Sequence, residues 1–146
     1  MGYLRKATLQ DLDLLFAWVN DRSVRKNAFS TSDIAYEEHK KWYEQLLTRN
    51  DVMQYIYMCD NQPIGQIRIN IENETAEIDY SICQQKRSLG HGKKMIDLLK
   101  EQVKQDVPNV KKLIAKVKPD NTASQKVFQD TGYTEKYYFY ESELTD

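Results

Sequence analysis

Long apolar runs are missing from this chain of 146 residues. No stretch of about 18 apolar residues occurs, so no segment reads as a membrane span and no membrane partner is expected. Residues 1–8 have no apolar core of the secretory kind, which makes a cytoplasmic setting the expectation. Cysteine is scarce. Cys59 and Cys83 are too few for a disulfide framework or a four-thiolate metal site. His39 and His91 stand at no metal-ligand spacing to cysteines or acids, so no metal is expected. Excess charge is absent too. The net charge is −1 and the pI about 6.1, with no basic tail and no aromatic-plus-arginine motif, which argues against nucleic acid. An apolar share of 40% with 29% charged residues leaves no room for collagen, a coiled coil or long disorder.

What is present suits one α/β domain covering residues 1–146. Residues 3–7 read as a short strand. Thr8 then caps a helix with Leu12, Leu15, Phe16 and Val19 at helical spacing. A polar stretch, residues 20–33, precedes an amphipathic helix bearing His39, Trp42, Tyr43 and Leu46. Residues 52–59 form a β-rich run, and Asp60-Asn61-Gln62-Pro63 is turn chemistry. Ile67, Ile69 and Ile71 alternate with polar residues. So do Ala76, Ile78, Tyr80 and Ile82, which leaves Glu77 and Asp79 on one face of their strand. A helix follows Gly92. Residues 113–118 form a strand that Pro119 stops, Asp120 or Asn121 caps another helix, and Gly132 ends it. Residues 133–142 read as a last, aromatic strand. The expected order is βααβββαβαβ, a mostly antiparallel sheet with at least one crossover connection.

Charge is unevenly spread. Residues 86–126 carry a net +7 and the remainder −8, so one third of the chain is suited to face anions. Inside that third lies Arg87-Ser88-Leu89-Gly90-His91-Gly92, between a strand and a helix. Two glycines two apart allow positive φ and close backbone approach, and the helix N-terminus adds partial positive charge. A Rossmann fingerprint would need glycine at position 95, where Met95 stands. A P-loop would need glycine at 87 and serine or threonine at 94, where Arg87 and Lys94 stand.

The turn Arg87-x-x-Gly90-x-Gly92 resembles the Q/R-x-x-G-x-G/A acetyl-CoA motif of the GNAT N-acetyltransferase superfamily. Downstream, Asn121-x-x-Ser124-x-x-x-Phe128-x-x-x-Gly132-Tyr133 resembles that family's second motif, and the element order agrees over nearly the whole chain. The resemblance implies a mixed, mostly antiparallel sheet flanked by helices, with strands splayed at the cofactor site. It implies acetyl-CoA as co-substrate. The amides of Arg87, Ser88, Leu89, Gly90, His91, Gly92 and Lys93 would cradle the pyrophosphate, and the strand end at Ile82 and Cys83 would pair with the pantetheine arm. Asn121 would bond the pantetheine region, Phe128 would pack beside the thioester, and Lys126 would reach the nucleotide phosphates.

Acetyl transfer to an amine needs a base for the ammonium, a donor for the oxyanion, and in some cases a proton for the leaving thiolate. Glu77 matches the family's usual base position, with Asp79 as the substitute. The backbone N–H near Ile82 or Cys83 is the expected oxyanion donor. Many relatives carry tyrosine where Phe128 stands, so an acid would come from Tyr133 or from Tyr137, Tyr138 or Tyr140, unless none is needed. A nucleophilic Cys83 is disfavoured for want of an adjoining histidine. For the acceptor, Trp18, Asn20, Arg25 and Asn27 resemble the corresponding region of small bacterial enzymes that acetylate nucleotide-linked amino sugars. Other readings are a protein or peptide acceptor, a polyamine, an aminoglycoside, and a non-catalytic acyl-CoA sensor. Monomer and homodimer both stay open.

Overall fold

The computed structural model describes residues 2–29 and 32–144. Five strands form one sheet in the order β1 (Gly2–Lys6), β2 (Val52–Cys59), β3 (Gln62–Glu72), β4 (Thr75–Ile82), β5 (Lys112–Ile114). The first three neighbour pairs are antiparallel and β4 runs parallel to β5, as expected of a mixed, mostly antiparallel sheet. The tight links are built by residues that tolerate positive φ. Asp60 and Asn61 lie at +52° and +63° between β2 and β3, and Asn73 at +56° between β3 and β4. Pro63 is already in β3.

Alternation along the strands divides the sheet into two faces. One face carries Tyr55, Tyr57, Ile67, Ile69, Ala76 and Ile78. It is covered by α4 (His91–Asp106) through Met95, Ile96, Leu99 and Val103, and by α5 (Thr122–Asp130) through Phe128. The other face presents Val52 and Ile56 to α1 (Leu12–Val19) and α3 (Tyr36–Leu46), through Leu12, Leu15, Tyr43 and Leu46. Ile56, Ile67, Ile69, Met95, Ile96 and Leu99 lose all their exposure. Full burial of each stabilises by about 1.5–3 kcal/mol. Buried hydroxyls find acceptors: Tyr43 donates to Thr8 O at 2.6 Å and Tyr55 to Asp106 Oδ2 at 2.7 Å.

The observed elements differ from expectation in three places. The polar stretch after α1 contains a short helix, α2 (Arg22–Asn27), with no buried residue. The fifth strand is shorter than 113–118, because its pairing ends at Ile114. The segment 133–142 forms no strand, and Tyr137, Tyr138, Phe139 and Tyr140 stand 72% or more exposed. Aromatic β-propensity acts through packing on a neighbour, and none covers this segment among the described residues.

The shortness of β5 matters most. It meets β4 only at Thr75↔Lys112, Ala76↔Leu113 and Glu77↔Ile114. Beyond Glu77 the two chains part, and β4 continues to Ile82 paired with β3 alone among the described residues.

Candidate active site

The parting of β4 and β5 leaves one edge of β4 without a paired strand, among the described residues, from Glu77 on toward the glycine turn. After β4 the chain makes one tight turn at Gln84–Lys86. Ser88 and Gly90 then adopt φ of +65° and +83°, and α4 begins at His91. Left-handed backbone at two alternate positions turns the chain into the helix start, whose first N–H groups have no intrahelical partner. Nothing lies within 4 Å of the point where a Gly90 side chain would begin, so glycine is required there by conformation alone. Gly92 is different: a Cβ there already touches Val127 at 3.4 Å, which brings α4 close against α5.

Lys93 binds Asp130 at 2.6 Å and Lys126 reaches the same carboxylate at 3.5 Å. The hydrogen bond from Lys93 holds the Asp130 carboxyl below its ordinary range. His91 sits with its Nδ1 3.4 Å from the Tyr57 hydroxyl. Burial, then the charges of Lys94 and Lys86, keep its ring below its usual pKa. The turn therefore presents a neutral imidazole and a backbone cradle.

The Asn121 side chain accepts from Ser124 N at 3.2 Å, capping α5. Ser124 Oγ lies 2.8 Å from the Tyr80 hydroxyl, so one hydrogen bond crosses from β4 to α5 where the strands have separated. Burial raises the Tyr80 phenol against the lowering effect of Ser124. Tyr80 had read as a plain inward-facing strand residue. Its reach to α5 depends on the splay, which no local pattern reveals.

Glu77 and Asp79 project to the α3 side of the sheet. Glu77 Oε1 is 3.5 Å from Lys116 Nζ, and Asp79 Oδ2 is 3.4 Å from Arg68 Nη2. The Arg68 guanidinium also lies 5.1 Å from the centroid of the Trp42 ring. Gln54 donates to Gln66 at 2.8 Å and Gln66 to Ser81 at 3.3 Å, continuing the polar row across the sheet. Arg68 was legible only as a polar partner in the β3 alternation. Its role follows from the register that sets it opposite Asp79.

Several expected site residues are placed otherwise than the sequence suggests. The Cys83 N–H donates to Ile64 O at 2.8 Å, so that amide is spent within the sheet and is not free for an oxyanion. Phe128 is buried, packed edge-on against Tyr80 and Tyr133. Tyr133 lies behind it, 4.9 Å from Lys100 Nζ across its ring, with its hydroxyl buried and unpartnered. Burial, with the Asp97 charge, pushes that hydroxyl up to about 12. Lys100 is roughly 13 Å along α4 from the turn by the helix rise, which sets the Tyr133 ring, expected as a source of the acid, that far from the pyrophosphate cradle. Asn27 folds onto Ser23 O within α2, and Asn20 uses both ends of its amide on the Ile34 backbone. Trp18 is partly buried against the α1–α3 core. Asn20 and Arg25 do line one open depression of about 430 Å³, together with Arg22, Lys26 and Asp33.

The glycine turn at a helix start, the splayed parallel strands and the capped α5 beside them agree with what a family profile finds independently. The Acetyltransferase (GNAT) domain profile matches residues 3–134. The chain belongs to the GNAT acetyltransferase family. It is an acyltransferase by that membership, and acetyl-CoA is its acetyl donor. The residues present fit that donor: a cradle of amides at the helix start, lysines around it, and a strand edge left open along β4. The GNAT fold is seen again in solved structures. The aminoglycoside acetyltransferase AAC(6')-Ib in complex with coenzyme A is 20% identical, with a TM-score of 0.81 over 93% of this chain and 86% of that one. Spermidine N-acetyltransferase from Vibrio cholerae in complex with CoA and spermine is 16% identical, with a TM-score of 0.86 over 99% and 88%. The ribosomal α-N-protein acetyltransferase RimL in complex with coenzyme A is 19% identical, with a TM-score of 0.76 over 88% and 77%. A search of curated proteins finds no match.

Proposed function

We propose that this GNAT domain moves an acetyl group from acetyl-CoA to the primary amine of a small molecule that also carries phosphate, such as a nucleotide-linked amino sugar. One observation supports the catalytic part above the others: β4–β5 pairing ends at Glu77, so the carboxylate stands where the open edge of β4 begins. The turn amides from Ser88 through Lys93 hold the pyrophosphate at the other end, the Arg87 amide expected among them being spent on Gln84 O at 3.5 Å, and the open edge of β4 near Ile82 receives the pantetheine arm. The donor supplies an acetyl group activated as a thioester.

Glu77 takes the proton that an ammonium must lose before its nitrogen has a lone pair. Asp79 is the substitute. The nitrogen then forms its bond to the acetyl carbon, the carbon–sulfur bond breaks with its electron pair leaving on sulfur as thiolate, and the second proton of the nitrogen passes to water. The thiolate needs no acid to depart. Should the enzyme use one, the Tyr80–Ser124 hydroxyl pair is better placed than Tyr133. Two carboxylates on this face attract a cationic amine, and the basic depression by α2 suits a phosphate on the same molecule. The acids alone would suit a polyamine or an aminoglycoside, and that is the second reading.

Thiol release from acetyl-CoA tests all of this. The expected result is turnover with a UDP-linked 4-amino sugar at a lower KM than with spermidine, kanamycin or a peptide. Preference for spermidine or kanamycin would overturn the phosphate reading and keep the acetyltransferase. Tight binding of acetyl-CoA with no turnover on any amine would favour a sensor.

A further inference from the structure

Arg87 opens the glycine turn, and its amide donates back to Gln84 O at 3.5 Å. Its side chain does something else. Nε donates to Ile82 O, the last residue of β4, at 2.9 Å. Nη1 donates to Ser23 Oγ, and Nη2 lies 3.4 Å from Asp21 Oδ1. That same carboxylate oxygen is the N-cap of α2, accepting from Ser23 N at 2.9 Å, Ser23 Oγ at 2.5 Å and Val24 N at 3.4 Å. One guanidinium thus joins the end of the cofactor strand to the start of the second helix.

The join matters because α2 has little else to hold it. It is six residues long and buries none of them. A helix that short is not stable on its own propensity, and with no apolar anchor its position is set by polar tethers. Arg25 Nε donates back to Val19 O at 2.7 Å, and Lys118 Nζ reaches Lys26 O at 3.4 Å. The Arg87 tether leads directly to β4. Asn20 and Arg25, expected on the acceptor side, flank or lie within α2. Acetyl transfer requires the two reactants to be aligned to within a fraction of an ångström, and a misplacement of about 1 Å costs on the order of 10²-fold in rate.

We propose that the Arg87 side chain is a positioning residue for the acceptor: it fixes α2 against the end of β4, so that an amine held by α2 is in line with the thioester. This rests on the acetyltransferase reading and on the acceptor lying against α2. A planar fork meets three acceptors at once, which a lysine ammonium on a flexible stem does not reproduce.

The test uses Arg87→Ala and Arg87→Lys in the full chain. Acceptor KM should rise about tenfold or more in both. The coenzyme A dissociation constant, read by calorimetry, should stay within about twofold, because the amides remain. Asp21→Ala should raise acceptor KM as well, and adding it to Arg87→Ala should cost less than the two effects combined. Hydrogen exchange gives a readout independent of turnover. Amides of residues 23–27 should exchange faster in Arg87→Ala, with α4 unchanged. Weakened coenzyme A binding with an unchanged acceptor KM would make Arg87 a cofactor ligand and overturn the proposal, as would unaltered protection of α2. If the wild type turned over no amine, the functional reading would fall while the exchange measurement still decided this one.

Discussion

Glu77 keeps 40% of its side-chain surface exposed, and Lys116 is its ion-pair partner at 3.5 Å. A carboxylate tied that loosely can exchange a lysine for an incoming ammonium. Glu77→Gln should therefore lower kcat by about 10²-fold or more while coenzyme A affinity holds, as calorimetry beside steady-state rates will show. Full turnover by Glu77→Gln with loss in Asp79→Asn would move the base to Asp79. At His39 the expected consequence concerns stability. The ring is 3% exposed among Phe16, Trp42 and Tyr43, and its Nε2 is unpartnered. Burial lowers its pKa, opposed by a hydrogen bond to the Leu12 backbone. The unfolded chain takes up a proton near pH 6.5 that the native ring resists. The native state thus has its full stability above about pH 6.5 and loses it as pH falls toward the lowered native value. His39→Leu should flatten the fall in urea midpoint between pH 7.5 and pH 5.5, and an unchanged slope would exclude His39 as its source.

Elements were legible wherever a local pattern determines them. The isoleucine alternation of β3 and the Ala76–Ile82 alternation of β4 gave both strands and their faces, and Asp60-Asn61 marked the hairpin because both tolerate positive φ. The glycine turn was legible for the same reason. Two elements were not. The short helix α2 has no apolar period, being held by a cap and by side-chain tethers from distant residues. The aromatic segment after Gly132 has strand propensity, but strand formation depends on a neighbouring edge that its own sequence does not encode. The site divides the same way. Gly90 and Asn121 could be placed from spacing, whereas Tyr80 with Ser124 and Arg68 with Asp79 required the splay and the register. Gly90 gives the sharpest test at this scale. Its φ is +83° and the space beside it is open, so Gly90→Ala brings a conformational cost without a clash. The expected loss is about 1–2 kcal/mol in denaturant unfolding, accompanied by weaker coenzyme A binding because the turn amides shift. An unchanged stability would mean that the turn relaxes to negative φ.

Across the whole molecule, the +7 segment of residues 86–126 supplies the turn, α4, β5 and the start of α5, the elements that follow β4 in the chain. The acids lie mostly elsewhere, with Glu77 and Asp79 on the opposite face of the sheet from α4. Asp130, just beyond the basic segment, lies against its lysines. It engages Lys93 and Lys126 together, drawing two cations of the basic segment onto one exposed carboxylate between α4 and α5. Removing that charge while keeping the shape, as Asp130→Asn does, leaves both ammonium groups to the anion at the turn. Coenzyme A should then bind severalfold tighter at low ionic strength. The gain should fade as salt rises, since exposed charges are screened within about 3 Å at 1 M. Calorimetric titrations of wild type and Asp130→Asn from 0.02 to 1 M KCl read both effects. A gain that persisted at high salt would point to an altered turn, and a loss would mean that Asp130 orients the two lysines toward the phosphates.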